Sequence, residues 1–229
     1  MLVPLPSRNS STRETYLTLR KAILSGALPP EWRLYEHRIG AELGVSRTPV
    51  REALAMLEAE ELVVSVPNRG TLVRRITVDE VKETYDVRAV LEGHAARLAA
   101  GRISAAELAR LRRLARDMRR ALARNYPSED RRVDDLASLN AEFHMTVVTV
   151  AGNRVLQRTI ESLIDAPLYA RAYFWYKDPL KQASFDDHER MIELLAAGDP
   201  DACERFWAEH LRRGRDYLID YLRDAAEAG

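Results

Sequence analysis

The stretch LGVSRTPVREAL, residues 43–54, decides the fold at the N-terminal end of this chain. Gly44 allows a tight turn between two helices, because glycine adopts left-handed backbone angles at little cost. Val45 and Val50 are spaced to pack beneath that turn. The apolar residues that continue the buried face of the second helix are Ala53, Leu54 and Leu57. The pattern predicts a helix-turn-helix.

The polar residues of this stretch lie where the second helix of the motif begins. They are Ser46, Arg47, Thr48 and Arg51. In helix-turn-helix proteins this end enters the major groove, where arginine binds guanine O6 and N7 and hydroxyl groups reach phosphates or base edges. The alternative is an ordinary surface role, with Arg51 paired to Glu52 or Glu58. The DNA-reading role is favoured because the turn, the helix start and a following hairpin agree.

The flanking sequence predicts a winged helix. The three helices expected are one from the capping box at residues 11–14 to near Gly26, one at 36–43 and one at 47–60. Pro29 and Pro30 predict an extended turn after the first helix. Strand-like sequence is nearly confined to residues 62–75, where two β-rich runs flank the turn Pro67-Asn68-Arg69-Gly70. Three helices followed by a hairpin is the order of a winged helix.

The rest of the chain has helical spacing only. Six helices are predicted, at residues 77–100, 104–124, 131–151, 153–175, 184–197 and 200–224. Capping boxes open the first two, at Thr77 and Ser104. We therefore expect a mainly α protein in two domains. A winged helix-turn-helix covers residues 1–76, and an all-helical antiparallel bundle covers residues 77–229.

Composition narrows the class of protein. The 229 residues have a formal net charge of zero, but the first 75 carry eleven basic and eight acidic side chains. This small basic excess lies where a DNA-binding surface needs it. No long uncharged apolar stretch predicts a membrane span or a secretory signal. The single cysteine, Cys203, excludes an internal disulfide framework. We expect a cytoplasmic protein with no membrane partner.

The N-terminal segment resembles the DNA-binding domain of the GntR family. The resemblance covers about residues 12–75, and VSRTPVREAL followed by PNRGTLV carries it. It implies that Arg47, Thr48 and Arg51 contact bases or phosphates and that Arg69-Gly70 at the hairpin tip enters the minor groove. His37 stands where the family commonly has a phosphate-binding arginine. Glu61 replaces the family's usual glycine after the third helix, which removes a favourable left-handed cap.

Three histidines and an asparagine stand out in the C-terminal half. Asn140 and His144 are four residues apart and share a helix face. His188 and His210 are equidistant from Asp199, in the turn of a helical hairpin, so they should lie at the same height. The four side chains can converge on zinc, nickel or a similar divalent ion. The alternative is four separate polar residues on helix surfaces.

This half also resembles the FCD effector-binding domain of the FadR subgroup. The similar segments are residues 86–100, 139–153 and 188–211. The resemblance implies a metal site at Asn140, His144, His188 and His210, with asparagine where aspartate is frequent. It also implies a small carboxylate effector, which Arg88 would clamp. An ion pair between Arg88 and Glu92 is the alternative. Further pocket candidates are Tyr169, Arg171 and Tyr173.

These observations predict a ligand-responsive regulator, not an enzyme. One winged helix reads only a few base pairs, so we expect a homodimeric repressor on a palindromic operator of double-stranded DNA. A helical metal hydrolase is the second hypothesis, but the chain has no HExxH segment and no Glu-x-x-His pair. The third is a DNA-binding protein whose C-terminal domain serves only for dimerisation.

Overall fold

The structure is a computed structural model that describes residues 12–164 and 177–227, apart from the side chains of residues 130 and 225–227. Ser11 of the first predicted capping box lies outside these residues, as do Tyr169, Arg171 and Tyr173. The chain forms two compact units, which meet in sequence between Ile76 and Thr77.

The first unit combines three helices with a small sheet. Its elements are α1 (Thr12–Leu24), β1 (Arg33–Leu34), α2 (Glu36–Leu43), α3 (Arg47–Ala59), β2 (Val63–Val66) and β3 (Gly70–Val73). The sheet is antiparallel in the order β1-β3-β2, with Val66 opposite Gly70 at the hairpin end. This is a winged helix, and the predicted fold class is confirmed.

Strand β1 was not predicted, because its two residues are too short to show a strand pattern. After the prolines the chain turns, with Trp32 N donating to Pro29 O at 3.1 Å, and it then pairs with the edge of β3 that faces away from β2. Glu31 N donates to Val73 O at 2.8 Å, and Val73 N donates to Trp32 O at 2.9 Å. Apart from the two residues of β1, the described strands lie within residues 62–75, as expected.

Helix α3 ends in a left-handed cap. The replacement of the family's usual glycine by Glu61 was expected to remove this cap. Glu61 has a φ of 54°. Its N–H donates to Glu58 O, and Leu62 N donates to Leu57 O, both at 2.9 Å. These two bonds are those of a Schellman motif, which normally places glycine at this position. The expectation of a lost cap is thus wrong: the cap forms, and Glu61 bears the strained angle.

The second unit is a bundle of helices around one apolar core. Its described helices are α4 (Val78–Ala100), α5 (Ala105–Ala123), α6 (Glu129–Val150), α7 (Arg154–Ile164), α8 (Asp178–Ala197) and α9 (Pro200–Glu227). Both predicted capping boxes form, at Thr77 and Ser104. Helix α4 packs along α9, and α5 packs between α6 and α8. No helix within the described ranges is both long and apolar enough to cross a membrane.

Helix α8 begins six residues earlier than predicted. Asp178-Pro179 does not break the helix, because Pro179 lies in its first turn. Proline fits there, because the first turn has no intrahelical acceptor for its missing N–H. At the other end Gly198 closes α8 with a φ of 67°, and Asp199 Oδ1 accepts from Ala202 N to start α9. This turn sets the register of the α8–α9 hairpin.

Candidate functional sites

Two glycines shape the turn between α2 and α3. Gly44 ends α2 with a φ of 71°, and Val45 N donates to Gly40 O at 2.9 Å. A Cβ at Gly40 would lie only 2.9 Å from Val45 O, so this position has no room for a side chain. The sequence pattern identified Gly44 but missed Gly40, because that contact exists only once the turn is folded.

The first turn of α3 presents an exposed polar surface. Ser46 is the N-cap with extended backbone angles, but its side chain makes no capping hydrogen bond. Ser46, Arg47 and Thr48 are all exposed. The N-terminus of a helix carries partial positive charge and unpaired N–H groups, which suit a phosphate. This end of α3 is thus available to a polyanion.

Arg51 is held by an acidic residue of α2. Its Nε donates to Glu36 Oε1 and its Nη2 to Glu36 Oε2, each at 3.0 Å. This hydrogen bonding lowers the pKa of Glu36, and the charge of Arg47 lowers it further. The partners considered from sequence are engaged elsewhere: Glu52 accepts from Thr12, and Glu58 from Ser65 N. An Arg51 pair with either of them was therefore the wrong alternative.

The hairpin tip is a tight turn with two left-handed residues. Asn68 has a φ of 62° and Gly70 a φ of 77°, and Arg69 N donates to Val66 O at 3.0 Å. Arg69 and Gly70 are exposed. Arg33 of β1, which sequence reasoning did not single out, lies beside this tip, because a Cβ on Gly70 would be 3.6 Å from its Nε. His37 is exposed at the start of α2 and makes an edge contact with the Tyr35 ring.

Three histidines meet inside the helical unit. His144 of α6, His188 of α8 and His210 of α9 each offer a ring nitrogen, and these nitrogens lie within 4.8 Å of one another. The rings of His188 and His210 are 5.2 Å apart, as expected for residues at one height in the hairpin. His144 and His188 are buried, and the His210 side chain is 10% exposed. Asn140, also buried, lies one turn before His144.

Carboxylates orient two of the three imidazoles. Glu92 Oε2 lies 2.6 Å from His144 Nδ1, and Asp187 Oδ2 lies 3.0 Å from His210 Nδ1. A carboxylate on one ring nitrogen turns the other nitrogen toward a metal and raises its basicity. Sequence reasoning missed both roles. The role of Asp187 could have been predicted, because it precedes His188 in the sequence and the hairpin brings His210 to the same height. The role of Glu92 could not, because Glu92 belongs to a helix outside the hairpin.

The unsatisfied nitrogen atoms of the triad fit a cation. Among the described residues, His144 Nε2 and both ring nitrogens of His188 are buried without a hydrogen-bond partner. Desolvation lowers the pKa of His188 well below its ordinary value and also lowers the pKa of His210. Neutral imidazoles are the form that binds metals. Three of them, buried and converging, suit zinc or another borderline divalent ion.

Arg88 and Asn153 make contacts within the helical unit that are structural. Arg88 Nε donates to Glu92 Oε1 at 2.8 Å, and both side chains are buried. Burial alone would raise the pKa of Glu92, but the charges of Arg88 and His144 lower it to about 2. The structure therefore contains the ion pair that was the alternative role for Arg88. Asn153 Oδ1 caps α7 through Val155 N and Leu156 N.

Family models match both units. A model described as "Bacterial regulatory proteins, gntR family" matches residues 11–73, and one described as "FCD domain" matches residues 83–213. The chain is 30% identical over 196 residues to the Nta operon transcriptional regulator of Aminobacter aminovorans, covering 86% of this chain and 89% of that protein. It is 33% identical over 192 residues to a probable D-xylose utilization operon transcriptional repressor of Paenarthrobacter nicotinovorans, covering 82% and 80%.

Solved structures share the fold. McbR/YncC of E. coli superposes with a TM-score of 0.63 at 22% identity, covering 94% of this chain and 99% of that one. A putative GntR regulator from Rhodococcus sp. RHA1 superposes with a TM-score of 0.62 at 24% identity, covering 91% and 96%. At these identities the likeness concerns the fold alone.

Proposed function

The chain belongs to the GntR family of bacterial regulatory proteins and carries an FCD domain, and from this premise we propose that it is a homodimeric repressor controlled by a small carboxylate. Its relatives are named as transcriptional regulators, and the chain is a regulator, not an enzyme. The relative from Paenarthrobacter is named as a repressor, which supports the sign of regulation proposed here.

Operator reading is assigned to the start of α3 and the hairpin tip. The residues proposed to contact DNA are His37, Ser46, Arg47, Thr48, Arg51, Arg69 and Gly70, all of which are exposed. The observation that carries the assignment is the exposed first turn of α3, where the side chain of Ser46 makes no capping hydrogen bond. In this motif that turn meets base edges, and a glycine at the tip allows the backbone to approach a minor groove.

Effector binding is assigned to the histidine triad with a divalent metal. We propose that His144, His188 and His210 hold zinc, or nickel or a similar ion, and that Asn140 adds an oxygen ligand. The buried nitrogens without hydrogen-bond partners support this assignment. The bound ion would supply positive charge that attracts a carboxylate. Direct clamping of that carboxylate by Arg88 stays a prediction, because Glu92 already engages its guanidinium.

Dimerisation is proposed because a two-fold dimer matches a palindromic operator. On α4, Val87 and Val90 are three residues apart on one face and are 48% and 63% exposed. Large apolar side chains grouped on a helix face are typical of a surface covered in an oligomer. Equilibrium sedimentation of the wild type should give a dimer, and Val90→Asp should weaken it.

The direct test combines DNA titration with a thermal-shift screen. Purified full-length protein is titrated with DNA fragments flanking its own gene, and its Tm is then measured with zinc and a panel of small carboxylates. We expect retardation of at least one fragment, relieved by a carboxylate that raises Tm only when zinc is present. Absence of sequence-specific retardation would overturn the repressor. Retardation with no response to metal or carboxylate would leave a C-terminal domain that only dimerises.

A further inference from the structure

The surface assigned to DNA reading contains an acidic residue whose presence needs a reason. Glu36 lies on α2 next to His37, and its carboxylate binds Arg51 of α3. A carboxylate at this place repels the phosphates of DNA and lowers affinity. Its value for stability is also small, because ion pairs between exposed side chains contribute little in water. The pair is of this kind, with Arg51 72% and Glu36 33% exposed.

The geometry of the pair leaves a defined set of donors on Arg51. A guanidinium has five N–H donors: one on Nε and two on each Nη. Glu36 takes the edge formed by Nε and Nη2, with both distances at 3.0 Å. The opposite edge, formed by Nη1 and the second hydrogen of Nη2, keeps two parallel donors. That edge matches the O6 and N7 acceptors of guanine in the major groove.

We propose that Glu36 determines base specificity by holding Arg51 so that its remaining donor edge meets a guanine. The proposal rests on the assignment of α3 as the recognition helix. A free arginine at this position satisfies its charge equally well on a phosphate, which carries no sequence information. An arginine fixed through Nε and Nη2 presents a rigid fork in one direction. Glu36 therefore exchanges some general affinity for discrimination between bases.

The sequence offers a matched control on the same helix. Glu42 is exposed on α2, six residues after Glu36, which places it about 120° around the helix. Glu42→Gln removes the same charge as Glu36→Gln without touching Arg51. Glu36→Asp is the converse variant, because it keeps the charge but is one methylene too short to hold both nitrogens. Circular dichroism and Tm of each variant establish that it is folded.

The experiment measures specificity and affinity separately. Full-length wild type, Glu36→Gln, Glu36→Asp, Glu42→Gln and Arg51→Ala are each used to select binding sites from a randomised duplex library. Affinities are then measured for the duplex selected by the wild type, for the same duplex with each guanine changed to adenine or 7-deazaguanine, and for a scrambled duplex. The deaza base removes only the N7 acceptor.

We expect one guanine per half-site whose replacement weakens wild-type binding by roughly 5- to 150-fold, the range for a good bidentate contact. Glu36→Gln and Glu36→Asp should reduce that ratio to below about threefold. Glu36→Gln should bind the scrambled duplex at least as tightly as the wild type, and Glu42→Gln should keep the full guanine preference.

Two other outcomes are distinguishable. If Arg51→Ala loses the guanine preference while both Glu36 variants keep it, the role of Glu36 is overturned and the recognition helix stands. If Arg51→Ala selects the same sites as the wild type, the assignment of α3 fails, and the role of Glu36 fails with it.

Discussion

The two candidate sites of this protein are built in opposite ways. The surface at the start of α3 consists of Ser46, Arg47, Thr48 and Arg51, which lie within six residues of sequence and are exposed. The histidine triad draws one residue from each of three helices and is almost entirely buried. A reading surface must leave its donors in water until DNA arrives, whereas a metal site must be desolvated and oriented beforehand. The first therefore depends on a local turn and on the pair between Arg51 and Glu36, and the second on carboxylates from other helices.

Removal of a metal ligand should have the largest effect that is confined to one of the two sites. At free zinc of about 1,000 times Kd, binding stabilises the folded state by about 4 kcal/mol, which raises Tm by roughly 10 °C. His188→Ala should abolish that rise, because it deletes the imidazole whose two nitrogens lack partners among the described residues. Differential scanning fluorimetry with and without zinc measures the effect.

The matched control is His94→Ala, which removes an exposed histidine of α4. It should keep the full zinc response. His210→Gln, a less disruptive change at the partly exposed ligand, guards against a variant that merely fails to fold. A zinc response retained in both triad variants would show that the triad is not the metal site.

Gly40→Ala should have the opposite effect, because it should impair the DNA-binding surface and leave the metal site unchanged. The added methyl group would lie 2.9 Å from Val45 O, a backbone atom that cannot move without opening the turn before α3. Overpacking of this kind costs about 1–3 kcal/mol. We expect a lower Tm for the first unit and weaker operator binding, with an unchanged zinc affinity in the second unit.

Calorimetry measures the Tm and the zinc affinity, and DNA titration measures operator binding. Gly101→Ala is the control, because a Cβ there meets nothing within 4 Å. Equal operator affinity in Gly40→Ala and wild type would contradict the tight packing of the turn.

A carboxylate variant should test the buried site alone, because Asp187 supports a histidine of the triad, whereas Glu36 supports Arg51 of the exposed surface. Asp187→Asn weakens the hydrogen bond that orients His210 and removes the charge shared with Arg213. Changes to such outer partners typically cost 10- to 100-fold in metal affinity. Zinc competition titration measures the change.

Asp186→Asn is its neighbouring control, since Asp186 binds Arg119. A similar loss in both variants would indicate a general charge effect, and the orienting role of Asp187 would then be wrong.

The sequence predicted the local features of each site better than the contacts between helices. The turn at Gly44, the start of α3 and the hairpin follow from residues adjacent in the chain. The height of His188 and His210 followed from counting about Asp199, because a helical hairpin has a fixed rise per residue. The partners Glu36 of Arg51 and Glu92 of His144 did not follow. Each lies on another helix, and no periodicity within one helix specifies which neighbour it meets.

The smallest expected effect concerns the cap that joins α3 to the wing. Glu61 adopts a φ of 54°, and this left-handed conformation costs an L-residue roughly 1–2 kcal/mol. Glycine avoids that cost but loses more chain entropy on folding, about 0.5–1 kcal/mol. Glu61→Gly should therefore stabilise the first unit by about 0.5–1 kcal/mol in urea unfolding. Glu61→Ala removes the same exposed ion pair with Arg74, at 3.8 Å, but keeps the Cβ and should not stabilise. If both variants were equally stabilised, the carboxylate would be the cause and not the backbone angle.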